Sequence, residues 1–268
     1  MGKTVIITGG SSGIGKACAE FYGDKGYNVA FTGRNAEKLD EVAGSLDQKG
    51  IPHISFQVDA TDRIGAQNVI DETIQKFGSI DVLICNAGIS MKALFEDLDL
   101  EVFEQVMRVN LVGTINYVKY ALPHLLKSNG SIVGVSSING RRGTPGRTAY
   151  SASKFAMEGF FESLRLEVKK RGVHVMVINP GYTHTDIRNN ALSGSGEVVG
   201  ESFHDEKKTM SAEKVAQYIY KCQHSGVRQK VLTLLGWWLV FFNKWIPKIM
   251  DRTVYRVMKK EDPSLFKD

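Results

Sequence analysis

The chain has 268 residues, 43% of them hydrophobic and 24% charged, enough apolar material for one large α/β domain and too balanced for a fibrous or disordered chain. A net charge of +5 suits phosphate-bearing ligands or anionic membranes, while the lack of any basic block interleaved with aromatics before the C-terminal segment counts against nucleic acid. Cys18, Cys85 and Cys222 are scattered without a CxxC pair, and the six histidines form no HExxH or Cys/His cluster, so disulfides and a metal site lack support.

No signal peptide is expected, because the first strand begins at about Lys3, and Ile6 stands where a myristoylation start wants Ser or Thr. The expected location is therefore cytoplasmic. Thr4–Thr8 is a short β-branched run of the kind buried on both faces of a parallel sheet. It breaks into Gly9-Gly10-Ser11-Ser12-Gly13-Ile14-Gly15 and then a helix over Lys16 to Lys25. A strand, a glycine turn and a helix N-terminus form a cradle for phosphate, although a tight βα connection would use the same residues. The second strand, Asn28–Thr32, ends at Gly33-Arg34. A guanidinium there suits a 2′-phosphate and favours NADP over NAD; the plainer reading is a solvated loop arginine.

A helix follows over Glu37–Lys49, then the strand Ile54–Val58, closed by Asp59, which is placed to accept from an adenine amino group or to serve as a turn aspartate. After a helix over Ala66–Phe77, the strand Asp81–Cys85 runs into Asn86-Ala87-Gly88. Two helical stretches, Glu101–Asn110 and Leu111–Lys127, put the polar Asn110 amid Val109, Leu111 and Val112, where it needs partners. The strand Ser131–Val135 delivers Ser136-Ser137, and a loop over Asn139–Arg147 leads to a helix running to about Lys170. Tyr150 and Lys154 share one face of that helix, so the ammonium is expected to lower the phenol pKa for proton transfer, with Ser137 holding a substrate oxygen. A sixth strand, Val173–Ile178, ends at Asn179-Pro180-Gly181. The alternation predicts an α/β fold with a single doubly wound parallel sheet, helices on both faces and ligands at the strand C-termini.

Thr8-Gly9-x-x-x-Gly13-x-Gly15, Asn86-Ala87-Gly88, Asn110, Ser137, Tyr150-x-x-x-Lys154 and Pro180-Gly181 together resemble the short-chain dehydrogenase/reductase family, in order and spacing, over residues 3 to 235. The resemblance implies a Rossmann-type sheet of about seven strands and an oxidoreductase that interconverts a carbonyl and an alcohol. By that resemblance Gly9, Gly13, Ile14 and Gly15 cradle the pyrophosphate, Asp59 meets the adenine, and Asn86 forms the floor beneath the cofactor. Thr8, Ser11, Ser12, Ala60, Ala87, Gly88, Pro180, Gly181 and Thr183 complete the cofactor set, with Thr185 near the carboxamide. It further implies Tyr150 as the acid/base and Lys154 as the residue that holds the ribose and depresses the tyrosine pKa. Ser137 polarises the carbonyl, and Asn110 holds the water of a proton relay. NADP-using members often carry an arginine where Arg34 stands; Ser11-Ser12 lacks the extra basic residue that some of them have. A homodimer or homotetramer is the family default.

Residues 182–210 read as a substrate lid, expected from the Gly, Ser, Asn and charges over 182–208 to be mobile and poorly ordered without ligand, and Ser211 as an N-cap with Glu213 in the first turn. Val231–Leu235 is expected as the last strand. The extension over 236–268 joins the aromatic run Trp237–Phe242 to Lys244, Lys248, Arg252, Arg256 and Lys260 at four-residue intervals, with Ile246, Met250, Val254 and Val257 on the other face of a helix starting near Pro247. Three readings fit: a helix packed on the domain or a partner copy, a membrane-surface contact through 236–260, or a wall of the substrate pocket. Similar tails occur in family members that reduce steroids or 3-ketosphinganine, which points to a hydrophobic substrate. The competing reading is a catalytically silent NADP-binding sensor.

Overall fold

The computed structural model describes residues 2–200 and 209–266; the 201–208 part of the expected lid lies outside the described residues. Strand β1 (Thr4–Thr8) is buried along its whole length. Its side chains alternate between two cores. Val5 and Ile7 pack with α1 (Gly13–Asp24), α2 (Ala36–Gln48) and α7 (Ala212–His224), whereas Ile6 packs with α3 (Arg63–Phe77), α5 (Gly113–Ser128) and α6 (Thr148–Glu167). Each such fully buried Val or Ile contributes about 1.5–3 kcal/mol, so the centre of the sheet is the fixed frame on which the site is built.

The sheet is parallel throughout, in the order β3 (His53–Gln57), β2 (Asn28–Gly33), β1, β4 (Val82–Cys85), β5 (Ser131–Val135), β6 (His174–Asn179), β7 (Gln229–Val231). The order reverses between β1 and β4, which opens a crevice at their C-terminal ends. The doubly wound expectation is met. α3 starts three residues before the expected Ala66, because the Asp62 carboxylate accepts from Ile64 and Gly65 N–H and caps it there. α4 (Leu100–Met107) continues through one π-turn, Arg108–Val112, into α5, and Asn110 sits in that turn. Gly134 in mid-β5 has no room for a methyl group, since the Phe161 ring of α6 occupies the space. That contact fixes α6, with Tyr150 and Lys154, against the strand that leads to Ser137.

The last strand differs from expectation. It ends at Val231, not Leu235, and Leu234–Trp245 is helix α8. Val231 pairs with Asn179, and the next residue of β6 is Pro180, which has no N–H to continue the ladder. Thr233 then accepts from Gly236 N–H at 3.1 Å and starts the helix. The whole aromatic run is therefore helical. α9 (Pro247–Glu261) begins at Pro247 as expected. It is bound to the domain by buried Met250 and Val254 and by an Arg142–Asp251 ion pair at 2.6 Å; a Lys92–Asp262 pair at 2.6 Å holds the chain just past its end.

Candidate active site

The glycine turn is braced from β4. The Thr8 hydroxyl accepts from both Asn86 and Ala87 N–H at 3.0 Å, and the Asn86 amide donates to the Thr8 and Gly9 carbonyls. Gly9 takes a left-handed φ of 65°, and a methyl group on Gly15 would overlap the Gly9 carbonyl oxygen, so the close packing of turn on helix requires glycine at both positions. Ser12, the residue before α1, offers no side-chain cap and the first turn holds no acid, whereas Asn35, Asp62 and Ser211 cap α2, α3 and α7. Ser211 thus does what its sequence context predicts. Ser11, Ser12, Gly13 and Ile14 line a cavity of about 830 Å³, and Thr185 from the loop after β6 packs over Gly13.

The cavity runs from Arg34, Asp59 and Ala60 at one end past Gly88, Pro180, Gly181 and Thr183 to Ser137, Tyr150 and Lys154. Arg34 is exposed and makes no ion pair among the described residues. Asp59 Oδ1 accepts from Thr61 N–H and hydroxyl at 2.8 and 2.7 Å, the geometry of the turn aspartate. Burial opposes its charge, but the Thr61 bonds and the nearby Arg34 outweigh that and hold the carboxyl below its ordinary range. The lid residues 182–200 are tied down at several points. Leu192 N–H donates to the Ser90 carbonyl, Lys38 pairs with Asp186 at 2.9 Å, and Arg188 stacks on the Tyr182 ring.

Ser137 follows β5 by two residues and accepts from Asn139 N–H at 3.2 Å, while Tyr150 and Lys154 occupy consecutive turns of α6. The Lys154 ammonium is almost fully buried and donates to the Val135 carbonyl at 2.9 Å. Burial brings its pKa down to about 8, against the pull of Glu158 and Cys85. The expectation that Lys154 lowers the Tyr150 pKa needs correction. Burial raises the tyrosine, and what pulls it back is a hydrogen bond with Ser137 and the charges of Arg147 and Arg188. Lys154 Nζ stands 5.8 Å from the tyrosine ring centroid. The net effect holds the Tyr150 phenol above its ordinary pKa.

Asn110 is fully buried and finds the partners it needs. Its Oδ1 accepts from Ile89 N–H at 2.8 Å, and its amide donates to the Ile89 carbonyl and the Ser153 hydroxyl. It ties the loop after β4 to the helix carrying Tyr150. Three site residues escaped the sequence reading. Arg147 is anchored by Ser90 and the Met91 carbonyl, Arg188 comes from the lid, and buried Glu158 is held by the Asn179 and Gln229 amides. The arginine-rich loop before α6 was the available signal for the first. The extension supplies part of the cavity wall: Trp238, Leu239 and Phe242 of α8 and Met250, Val254 and Val257 of α9 line it. α9 packs on the domain through Met250 and Val254, and side chains of both helices line the cavity.

A family model described as short chain dehydrogenase matches residues 3–195. The chain is 34% identical over 268 residues to Dehydrogenase/reductase SDR family member 7B of Rattus norvegicus, covering 97% of this chain and 82% of the rat protein. It is 34% identical over 226 residues to Dehydrogenase/reductase SDR family protein 7-like of Drosophila melanogaster, covering 82% and 69%. Among solved structures, a 3-ketoacyl-ACP reductase from Sinorhizobium meliloti 1021 superposes with a TM-score of 0.74 at 29% identity, covering 85% of this chain and 96% of that one. An alcohol dehydrogenase from the archaeon Thermococcus sibiricus, complexed with 5-hydroxy-NADP, shares the fold at 23% identity and the same TM-score, covering 87% and 96%. A family match over most of its length, with relatives similar along nearly all of it, establishes that the chain belongs to the short-chain dehydrogenase family of oxidoreductases.

Proposed function

We propose that this protein is an NADPH-dependent reductase of a hydrophobic ketone or aldehyde, with Tyr150 as the proton donor. The observation that carries the reading is one continuous cavity that joins the uncapped α1 N-terminus, the Ser137–Tyr150–Lys154 group and an apolar wall of α8 and α9 side chains. The residues fit a nicotinamide dinucleotide. The turn packs so closely that its backbone lines the crevice, α1 presents N–H groups without a competing side-chain cap, and Lys154 has a single hydrogen bond for a three-donor ammonium. Arg34 at the far rim supports the 2′-phosphate form. When bound, the cofactor supplies a hydride to the carbonyl carbon.

The chain's own residues do the rest. The Ser137 and Tyr150 hydroxyls donate to the carbonyl oxygen, where negative charge develops in the transition state. The proton then passes from Tyr150 Oη to that oxygen, which completes the alcohol. The resulting phenolate gains from the Arg147 and Arg188 charges, which favour the anion in a site otherwise too dry for it. The apolar wall excludes water and so strengthens each of these interactions.

The test is consumption of NADPH, with NADH in parallel, against carbonyls running from small polar aldehydes to long-chain and steroid ketones. Turnover concentrated on the long-chain or steroid ketones with NADPH is expected. Turnover confined to small polar carbonyls refutes the hydrophobic assignment, and equal rates with NADH refute the role of Arg34.

A further inference from the structure

α9 is ion-paired to the domain through Asp251 and buries Met250 and Val254, but α8, the most apolar helix among the described residues, buries only Gly236. Leu234, Trp237, Phe241 and Trp245 follow one another at steps of three and four residues, which puts them on one stripe. They are 73%, 45%, 43% and 67% exposed, and none of them lines the cavity. Leu235, Trp238 and Phe242 lie on the adjoining face, line the cavity and are themselves exposed. The cavity wall and the exposed apolar surface are thus one continuous structure, with those three side chains at the mouth. Exposed apolar patches of this kind mark a surface that something covers.

The charge carried by α8 and α9 indicates what covers it. Lys244, Lys248, Arg252, Arg256 and Lys260 are all exposed, and none of them forms an ion pair among the described residues. A second copy would bring the same row of cations against itself across a two-fold axis. An anionic lipid surface answers both features, with aromatic rings at the headgroup boundary and cations facing phosphates. At 12 residues α8 spans about 18 Å, too short to cross a bilayer core of about 30 Å, so it has to lie along the surface. No helix among the described residues is long and apolar enough to cross a membrane.

We propose that α8 seats the protein on an anionic bilayer with the cavity mouth against the lipid, and that the substrate is a carbonyl lipid taken directly from that bilayer. The substrate half rests on the reductase reading; the docking half does not. The test uses the full chain and flotation with vesicles of phosphatidylcholine alone or mixed with phosphatidylglycerol. The mixed vesicles are expected to bind at least about tenfold more protein. The outward-facing variant Trp237→Ser/Phe241→Ser/Trp245→Ser and the charge variant Lys248→Glu/Arg256→Glu are expected to lose that binding while keeping turnover on a water-soluble ketone. In the unmodified protein, brominated phosphatidylcholine mixed into the anionic vesicles is expected to quench tryptophan fluorescence, a readout that does not depend on the variants folding. No flotation at low salt, or flotation of the outward-facing variant equal to that of the parent, overturns the proposal. So does an outward-facing variant that splits an oligomer with no change in vesicle binding, which would make a second copy the cover. Flotation without turnover on any ketone sinks the reductase reading and leaves the docking half standing, and turnover without flotation does the reverse.

Discussion

Replacing Lys154 with methionine removes a buried cation whose pKa burial brings down from 10.5 to about 8. In the unfolded chain the ammonium keeps its ordinary value. Between these two values the unfolded chain still holds a proton that the folded protein has released, so raising the pH stabilises the fold, by up to about 1.4 kcal/mol for each pH unit. Below pH 8 both states are charged, and the fold bears the whole cost of keeping an ammonium on one carbonyl in apolar surroundings, about 3 kcal/mol. Methionine is of similar length and carries no charge, but it leaves the Val135 carbonyl without its donor, which returns about 1 kcal/mol. Lys154→Met is therefore expected to be more stable than the parent by about 2 kcal/mol near neutrality and to lose most of that advantage above pH 9. Urea unfolding followed by tryptophan fluorescence, without dinucleotide, at several pH values between about 7 and 9.5 measures it. A stability difference that does not change with pH over this range would refute the reasoning, because the parent's ammonium would then not titrate in the fold as burial requires.

Tyr150→Phe removes the proton but not the ring and is expected to lower turnover by about 10²–10⁴-fold with NADPH binding unchanged, read from nucleotide fluorescence. Gly15→Ala forces a methyl group onto the Gly9 carbonyl, so a loss of about 1–3 kcal/mol and a lower melting temperature should accompany weakened dinucleotide binding; an unchanged melting temperature would count against the packing argument. Arg34→Glu is expected to weaken NADPH about tenfold and NADH much less, as measured by titration, since the exposed guanidinium makes no ion pair among the described residues and its charge suits the 2′-phosphate.

Much of this could be read from the residues because it rests on local rules. A five-residue β-branched run such as Thr4–Thr8 has to be buried on both faces, and positions 150 and 154 share a helical face whatever surrounds them. The errors arose where distant chain decides. Val231–Leu235 is as good a strand as a helix start by its own pattern, and Pro180, some fifty residues earlier, ends the pairing. The Tyr150 pKa follows from how deeply it is buried and from Arg147 and Arg188, one on a preceding loop and one on the lid, so its direction could not be read from the neighbouring Lys154. Glu158 was passed over because a glutamate on a helix is ordinarily solvated; only the fold shows Asn179 and Gln229 closing over it.

The wall that the extension builds has a consequence for how such a protein changes over generations. Ser137, Tyr150, Lys154 and the glycine turn all lie within residues 3–195, while the side chains of α8 and α9 that line the cavity begin beyond them. Neither helix contributes a strand to the sheet, since β7 ends before α8 begins. Substitutions at Trp238, Phe242 or Val257 can therefore reshape what the pocket admits without disturbing the frame that does the chemistry. In this chain the wall that the extension builds and the Ser137–Tyr150–Lys154 group stand on separate stretches of sequence, so the one can change while the other is kept.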